Sequence, residues 1–205
     1  MSSEPVIHIV DDDQSVREAV QSLLESVGLS ARVYGSTTEF LDAHGWAGPG
    51  CVLLDIRLPG VSGLEFQGRM AGLGIFLPVI FMTGHGDIPM SVQGMKGGAV
   101  DFLTKPFRDQ DLLDAVSMAL ERDRLRRASE AGIDDLRARF ATLSPREREV
   151  MRLVSTGKMN KQVAGDLAIS EVTVKIHRGA AMRKMGARTL PDLVRMADLL
   201  AGSTD

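Results

Sequence analysis

Five short apolar runs, each followed by a stretch with helical spacing, fill roughly the first 122 residues of the 205-residue chain. They are Val6 to Val10, Ala31 to Gly35, Cys51 to Asp55, Pro78 to Met82 and Val100 to Leu103. Strand alternating with helix predicts a parallel sheet with helices on both faces. Its crossovers should be right-handed. The middle run, Cys51-Val52-Leu53-Leu54, is apolar without a break, as a strand buried on both faces must be. It ends on one carboxylate, Asp55, before the turn residues Pro59 and Gly60. In an open α/β sheet the C-terminal edge of the strands is where ligands bind. A carboxylate there can also be a plain turn residue, so Asp55 needs company to carry meaning.

The company is present. Asp11-Asp12-Asp13 follows the first run, Thr83 the fourth and Lys105 the fifth. In a parallel sheet these ends share one edge, whereas chance would scatter them. The helices between carry their own start signals. Ser15-x-x-Glu18, Ser36-x-x-Glu39 and Ser62-x-x-Glu65 are capping-box patterns. Val16, Val20, Leu23, Leu24 and Val27 give the first helix one apolar face, and Gly28 stands where a C-cap belongs. The helix from Pro89 to about Gly97 is weaker. It contains Gly94, and Gly97 and Gly98 either weaken it further or form its C-cap. Asp109 can cap a last helix through Leu112, Leu113, Val116 and Leu120.

Charge divides the chain. Its net charge is only −3, but residues 1–121 hold 7 Lys and Arg against 16 Asp and Glu, a net of −9. Residues 122–205 hold 17 against 11, a net of +6. An acidic part suits a cation site and a basic part suits nucleic acid. An apolar fraction of 44% supports ordinary globular cores. No apolar run approaches membrane-spanning length. Met1 to Pro5 lacks the basic and apolar regions of a signal peptide. The single cysteine, Cys51, sits in the buried-strand pattern and reads as an inert core thiol. A cytoplasmic protein with no membrane attachment is expected.

These residues resemble the receiver domain of two-component response regulators over about residues 5–122. The motifs are Val10-Asp11-Asp12-Asp13, Leu54-Asp55-Ile56-Arg57-Leu58-Pro59-Gly60, Met82-Thr83-Gly84-His85-Gly86 and Phe102-Leu103-Thr104-Lys105-Pro106. The resemblance implies a flavodoxin-like, doubly wound sheet of five parallel strands. It implies that Asp55 accepts a phosphoryl group from a sensor histidine kinase. Mg2+ is the implied cofactor, with Asp12 and Asp55 as direct ligands, Asp11 acting through water and the backbone carbonyl of Arg57 completing the protein set.

The residue types suit that chemistry. A carboxylate can form an acyl phosphate, phosphoryl transfer needs positioning and charge neutralisation, and Mg2+ prefers oxygen ligands. Lys105 would contact the phosphoryl oxygens as a compact cation, and Thr83 would donate its hydroxyl. Asp13 is the weakest member and is as well placed to cap a helix. Thr83 moving toward phosphate and Phe102 turning inward are the implied switch, with the glycine-bearing helix between them shifting. Lys105-Pro106 is implied to be cis. Nothing places His85 as a base.

Residues 123–142 are arginine-rich and read as a mostly helical linker interrupted at Gly132. They are a solvated connection or, less simply, a phosphate contact. Residues 143–205 open on Ser144-Pro145-Arg146-Glu147, a capping box with Pro at the first helical position. Four short helices follow, with a helix-turn-helix at about 160–185 and a net charge of +4. This all-α domain resembles the LuxR-type output domain of the NarL/FixJ class. The motifs are Leu143-Ser144-Pro145-Arg146-Glu147-Arg148-Glu149-Val150, Gly157-x-x-Asn160-Lys161-Gln162-Val163-Ala164 and Thr173-Val174-Lys175-Ile176-His177-Arg178.

At 100° per residue, Val174, Ala181 and Met185 face the domain core, whereas Val172, Lys175, Ile176, Gly179 and Arg183 face outward. Ile176 can meet a thymine methyl, and Lys175 guanine acceptors or a phosphate. The resemblance puts base reading at Lys175, Ile176 and Gly179, although Gly179 has no side chain with which to read. Lys161 and Thr173 are phosphate candidates. Arg178 either contacts phosphate or pairs with Glu147 or Glu149, and His177 borders the core.

The reading is a phosphorylation-controlled transcription regulator. It would dimerise on phosphorylation and bind promoter DNA at half-sites about 10 base pairs apart or a multiple, with RNA polymerase a further possible partner. It is not expected to be an enzyme beyond its own phosphorylation and dephosphorylation. An aspartyl phosphatase would carry a second acid two residues after Asp55, where Arg57 stands. A phosphoryl shuttle or interaction module with an output domain that no longer reads DNA is the other alternative, and the groove face of Lys175 and Ile176 opposes it.

Overall fold

The computed structural model describes residues 4–84 and 88–202. His85 and Gly86 therefore lie outside the described residues, as do Met1 to Ser3. The chain separates into two compact units, Met1–Arg126 and Arg127–Asp205.

In the first unit the elements run β1 (Val6–Val10), α1 (Gln14–Ser26), β2 (Ser30–Tyr34), α2 (Thr37–Asp42), β3 (Gly50–Asp55), α3 (Gly63–Met70), β4 (Val79–Thr83), α4 (Ile88–Lys96), β5 (Asp101–Thr104) and α5 (Asp109–Ala141). The sheet is five-stranded in the order β2-β1-β3-β4-β5, every neighbouring pair parallel. This is the doubly wound sheet expected from the sequence. The period-two alternation of the strands sorts its two cores. Cys51, Leu53, Ile80 and Met82 pack with α1 and α5 through Val20, Leu24, Leu112 and Val116. Val52, Leu54 and Phe81 face the other way, onto Phe40, Phe66 and Met70. All six residues of β3 are buried. Burying a Leu side chain such as Leu53 or Leu54 contributes about 1.5–3 kcal/mol. The central strand is thus a firmly held ledge, and Asp55 stands at its end.

Local starts and stops mostly follow the sequence signals, and at α1 the structure chooses between two of them. The N-cap of α1 is Asp13, whose carboxylate accepts from the backbone N–H of Ser15 and Val16. The Ser15-x-x-Glu18 box is not used, because an Asp two residues earlier already offers a charged acceptor to the first turn. Ser36 and Ser62 do cap α2 and α3. Gly98 closes α4 with φ +89°, and the Ala99 N–H returns to the Gly94 carbonyl at 3.1 Å. Gly94 faces β4 so closely that a Cβ there would stand 2.9 Å from two ring carbons of Phe81.

Gly132 does not interrupt α5, which runs unbroken for 33 residues. One interior glycine costs about 1 kcal/mol. Pairs at i,i+3 and i,i+4 spacing brace the helix on both sides: Glu121–Arg124, Asp134–Arg137 and Asp135–Arg139.

The second unit holds the end of α5 and then α6 (Pro145–Ser155), α7 (Asn160–Leu167), α8 (Glu171–Met185) and α9 (Leu190–Gly202). Its core is Leu143, Val150, Met151, Val154, Val163, Val174, Ala181, Met185 and Leu193, with Leu136 and Phe140 of α5 packed against it. Ser144 and Glu147 form the full reciprocal capping box at the start of α6. Ala168 makes the turn between α7 and α8 at φ +53°. No helix among the described residues is long and apolar enough to cross a membrane.

Candidate functional site

The C-terminal ends of β1, β3, β4 and β5 bring the sequence candidates together. Asp11, Asp12 and Asp55 each offer a carboxylate oxygen within 4.8 Å of the others. Asp11 is wholly buried and Asp55 nearly so, whereas Asp12 is exposed. Asp11 and Asp55 have separate supports. The Asp11 side chain accepts from the Asp13 N–H at 3.0 Å, and its carbonyl accepts from Arg17 Nη1 at 2.6 Å. The Asp55 side chain accepts from the Arg57 N–H at 2.9 Å. Beneath it, a Cβ on Gly63 would stand 2.3 Å from the Asp55 carbonyl oxygen, so α3 can begin this close only on glycine.

Lys105 closes the pocket. Its Nζ donates to Asp11 Oδ2 at 2.5 Å and to Asp55 Oδ2 at 2.7 Å. Burial works against its charge, but the hydrogen bonds and negative charge of Asp11 and Asp55 outweigh that and hold the ammonium above its ordinary pKa. Burial pushes the Asp11 carboxyl upward, with Lys105 opposing. Thr83 is fully buried at the end of β4, and its carbonyl accepts from the Lys105 N–H at 2.7 Å. The Lys105-Pro106 bond is cis, as expected. Phe102 sits partly buried beside Phe81, ring centroids 6.4 Å apart. Arg57 turns its side chain to solvent.

Three oxygen donors converging on one point, two of them buried, make a fitting seat for a small hard cation. Asp13 contributes by capping α1 and lies outside that set.

On the second unit, Lys175, Ile176, Val172 and Arg183 of α8 are exposed, and Val174, Ala181 and Met185 are buried. The exposure of Ile176, 63%, is high for an isoleucine inside a 15-residue helix. Gly179 is half-buried and Lys161 exposed. The Thr173 hydroxyl bonds the Ser170 hydroxyl at 2.8 Å, which fixes it at the helix start. Arg178 pairs with neither Glu147 nor Glu149. Its Nη1 donates to Asn160 Oδ1 at 3.1 Å, tying α8 to the start of α7. Glu147 is instead held by Lys184 at 2.6 Å, and Glu149 by Arg146 at 2.9 Å. The sequence reading missed Lys184, whose partner lies 37 residues away, so no local spacing marks it.

Comparison with known proteins agrees with both halves. Residues 7–117 match the family model of the response regulator receiver domain. Residues 141–197 match that of the bacterial regulatory proteins of the luxR family. Nodulation protein W of Bradyrhizobium diazoefficiens is 53% identical over 204 residues, covering 100% of this chain and 90% of that protein. Transcriptional regulatory protein FixJ of Azorhizobium caulinodans is 45% identical, covering 96% and 92%. Among solved structures, the response regulator StyR is 42% identical with a TM-score of 0.82, covering 96% of this chain and 99% of that one. Full-length FixJ from B. japonicum is 40% identical with a TM-score of 0.59, covering 98% of both. The chain therefore belongs to the NarL/FixJ class of two-component response regulators, DNA-binding regulators under the control of phosphorylation.

Proposed function

We propose that Asp55 is the phosphoacceptor, charged by a sensor histidine kinase, and that the phosphorylated chain dimerises and binds promoter DNA. The observation that carries this is the convergence of Asp11, Asp12 and Asp55 at one sheet edge, with Lys105 bonded to Asp11 and Asp55.

In the transfer, an Asp55 carboxylate oxygen forms a bond to the phosphorus of the kinase phosphohistidine. The P–N bond breaks, its electron pair returns to the imidazole, and that nitrogen takes up a proton. Asp55 gains an acyl phosphate. Lys105, already 2.7 Å from the Asp55 carboxylate, neutralises the added charge on the phosphoryl oxygens. Asp12 and Asp55, Asp11 through water, and the Arg57 carbonyl would hold Mg2+. When bound, Mg2+ supplies charge neutralisation at the phosphoryl oxygens. Thr83 donates its hydroxyl to the new phosphate, and Phe102 fills the space that Thr83 leaves. The chain is a regulator rather than an enzyme with a substrate of its own. It works in the cytoplasm, and RNA polymerase is a partner at the promoter.

At the DNA, Lys175 and Ile176 read base edges, with Gly179 at the third reading position. Lys161, Thr173, Arg178 and Arg183 serve the backbone. Arg178, bound to Asn160, does so by holding the start of α7 in place.

The test is selection of binding sites from random DNA by the full chain with and without beryllium fluoride and Mg2+, alongside light scattering. The expected result is a palindromic site enriched only in the activated sample, with a doubled mass. A monomer that retains no sequence in either state would contradict the proposal.

A further inference from the structure

The C-terminal end of α8 is held by residues outside the face assigned above to base reading. Its final turn closes on Gly186 at φ +76°, whose N–H returns to the Arg183 carbonyl. The N–H of Ala187 returns to the Met182 carbonyl at 2.9 Å. The Met185 carbonyl, one of the helix-end acceptors left over by such a cap, is taken by Arg139 Nη1 at 3.1 Å, from near the end of α5. The same guanidinium pairs with Asp135 at 2.8 Å, which aims it. A Cβ on residue 186 would stand 2.4 Å from that Nη1, so the glycine also makes room for the arginine. One residue before Met185, Lys184 Nζ donates to the Thr142 carbonyl at 3.1 Å and to Glu147 Oε2 at 2.6 Å. Two cations thus join the last turn of α8 to the α5–α6 junction, and both lie at the negative end of the helix dipole.

We infer that Arg139 is a positioning residue for sequence reading. It fixes where the far end of α8 lies, and so where Lys175, Ile176 and Gly179 present themselves. Arg139 stands two residues before the stretch matched to the luxR-family model, so the DNA-reading unit reaches back into α5. The inference rests on the DNA-reading assignment of α8 made above.

The placement matters because reading a base edge tolerates little displacement, whereas contact with phosphates tolerates more. A loss of positioning should therefore weaken the selected site and spare random DNA. A lost phosphate contact weakens both and lowers the salt slope by about one.

The experiment uses the full chain, activated with beryllium fluoride and Mg2+, as wild type, Arg139→Ala, Arg139→Gln and Arg139→Lys. Affinity for the wild-type-selected duplex and for a random duplex is measured at several salt concentrations, with Tm for each variant. Arg139→Gln keeps helix propensity and a polar side chain without the charge or the reach, so the result does not hang on the folding of one variant. The expected result is a roughly three- to tenfold loss on the selected duplex for Ala and Gln, of the size of a charge at a helix end. Less than about half of that factor should appear on random DNA, with an unchanged salt slope and partial recovery in Arg139→Lys. Unchanged affinity for the selected duplex, with or without a fall in Tm, would overturn the inference. So would equal losses on both duplexes with a shallower slope. A wild-type chain that prefers no sequence would strike the DNA-reading assignment itself, and the inference with it.

Discussion

Lys105 Nζ lies 2.7 Å from Asp55 Oδ2, across 50 residues of chain and one intervening strand. The carboxylate proposed as the acceptor therefore already has a cation beside it. The same ammonium bonds Asp11, so one cation serves two acids that would otherwise repel at close range.

Asp55 should be the sole site of acyl phosphate formation. Incubating wild type and Asp55→Asn with acetyl phosphate and Mg2+, then measuring intact mass, should show one added phosphoryl group on wild type and none on the variant. Modified Asp55→Asn would move the acceptor elsewhere.

Asp12 is the exposed member of the acidic triad, so its replacement should cost little stability and much cation affinity. Asp12→Asn is expected to weaken Mg2+ binding by about tenfold or more in calorimetric titration, because one formal charge leaves the ligand set. Its Tm without the metal should stay within about 2 °C of wild type, as for a surface substitution. Equal Mg2+ affinity in the two proteins would remove Asp12 from the ligand set.

Lys175 and Ile176 are neighbours on an exposed face but differ in chemistry. Ile176→Ala should relax preference at one thymine by roughly 1 kcal/mol and leave the salt slope alone. Lys175→Ala should weaken binding broadly and, where the lysine meets a phosphate, lower the slope by about one. Titrations on selected and random duplexes separate the two. The same loss on both for Ile176→Ala would end its role as a base reader.

His8 is 1% exposed, stacked on Tyr34 and bonded to its hydroxyl at 3.1 Å. Burial, helped by the charge of Arg32, lowers its pKa from 6.5 to about 4. The unfolded chain therefore binds a proton below pH 6.5 that the folded chain refuses until about pH 4. Stability that is complete above that window is lost as pH falls through it, by roughly 2–3 kcal/mol at the lower end. Urea unfolding of wild type and His8→Phe from pH 7 to 4.5 should show the wild-type curve falling more steeply. Parallel curves would mean that His8 titrates normally in the folded chain.

Much of this architecture was legible because β-strands buried on both faces leave an unbroken apolar signature, as Cys51 to Leu54 do. The site followed from where such runs stop, since strand ends in a parallel sheet converge. The contacts that escaped join residues far apart in sequence with no local pattern. Arg139 on the Met185 carbonyl, Lys184 on Glu147, and Asp123 accepting from the Gly50 N–H at 3.1 Å are of this kind. The start of α1 is a different case. Asp13 and Ser15 are both good caps two positions apart, and only geometry decides between them. Gly132 reads as a break on propensity alone, but a cost of about 1 kcal/mol is offset by the ion pairs on either side and by the packing of Leu136 and Phe140.

Gly94 leaves α4 and the ring of Phe81 with no side chain between them. Phe81 precedes Thr83 by two positions in β4, so both point to the same side of the sheet, toward α4. A larger residue at position 94 would act as a cushion, absorbing small strand movements by changing rotamer. Here there is nothing to compress. A shift of β4 by a few tenths of an ångström has to be taken up by the helix itself or by the phenyl ring, and the slack between the strand that ends at the acidic site and the helix above it is close to zero.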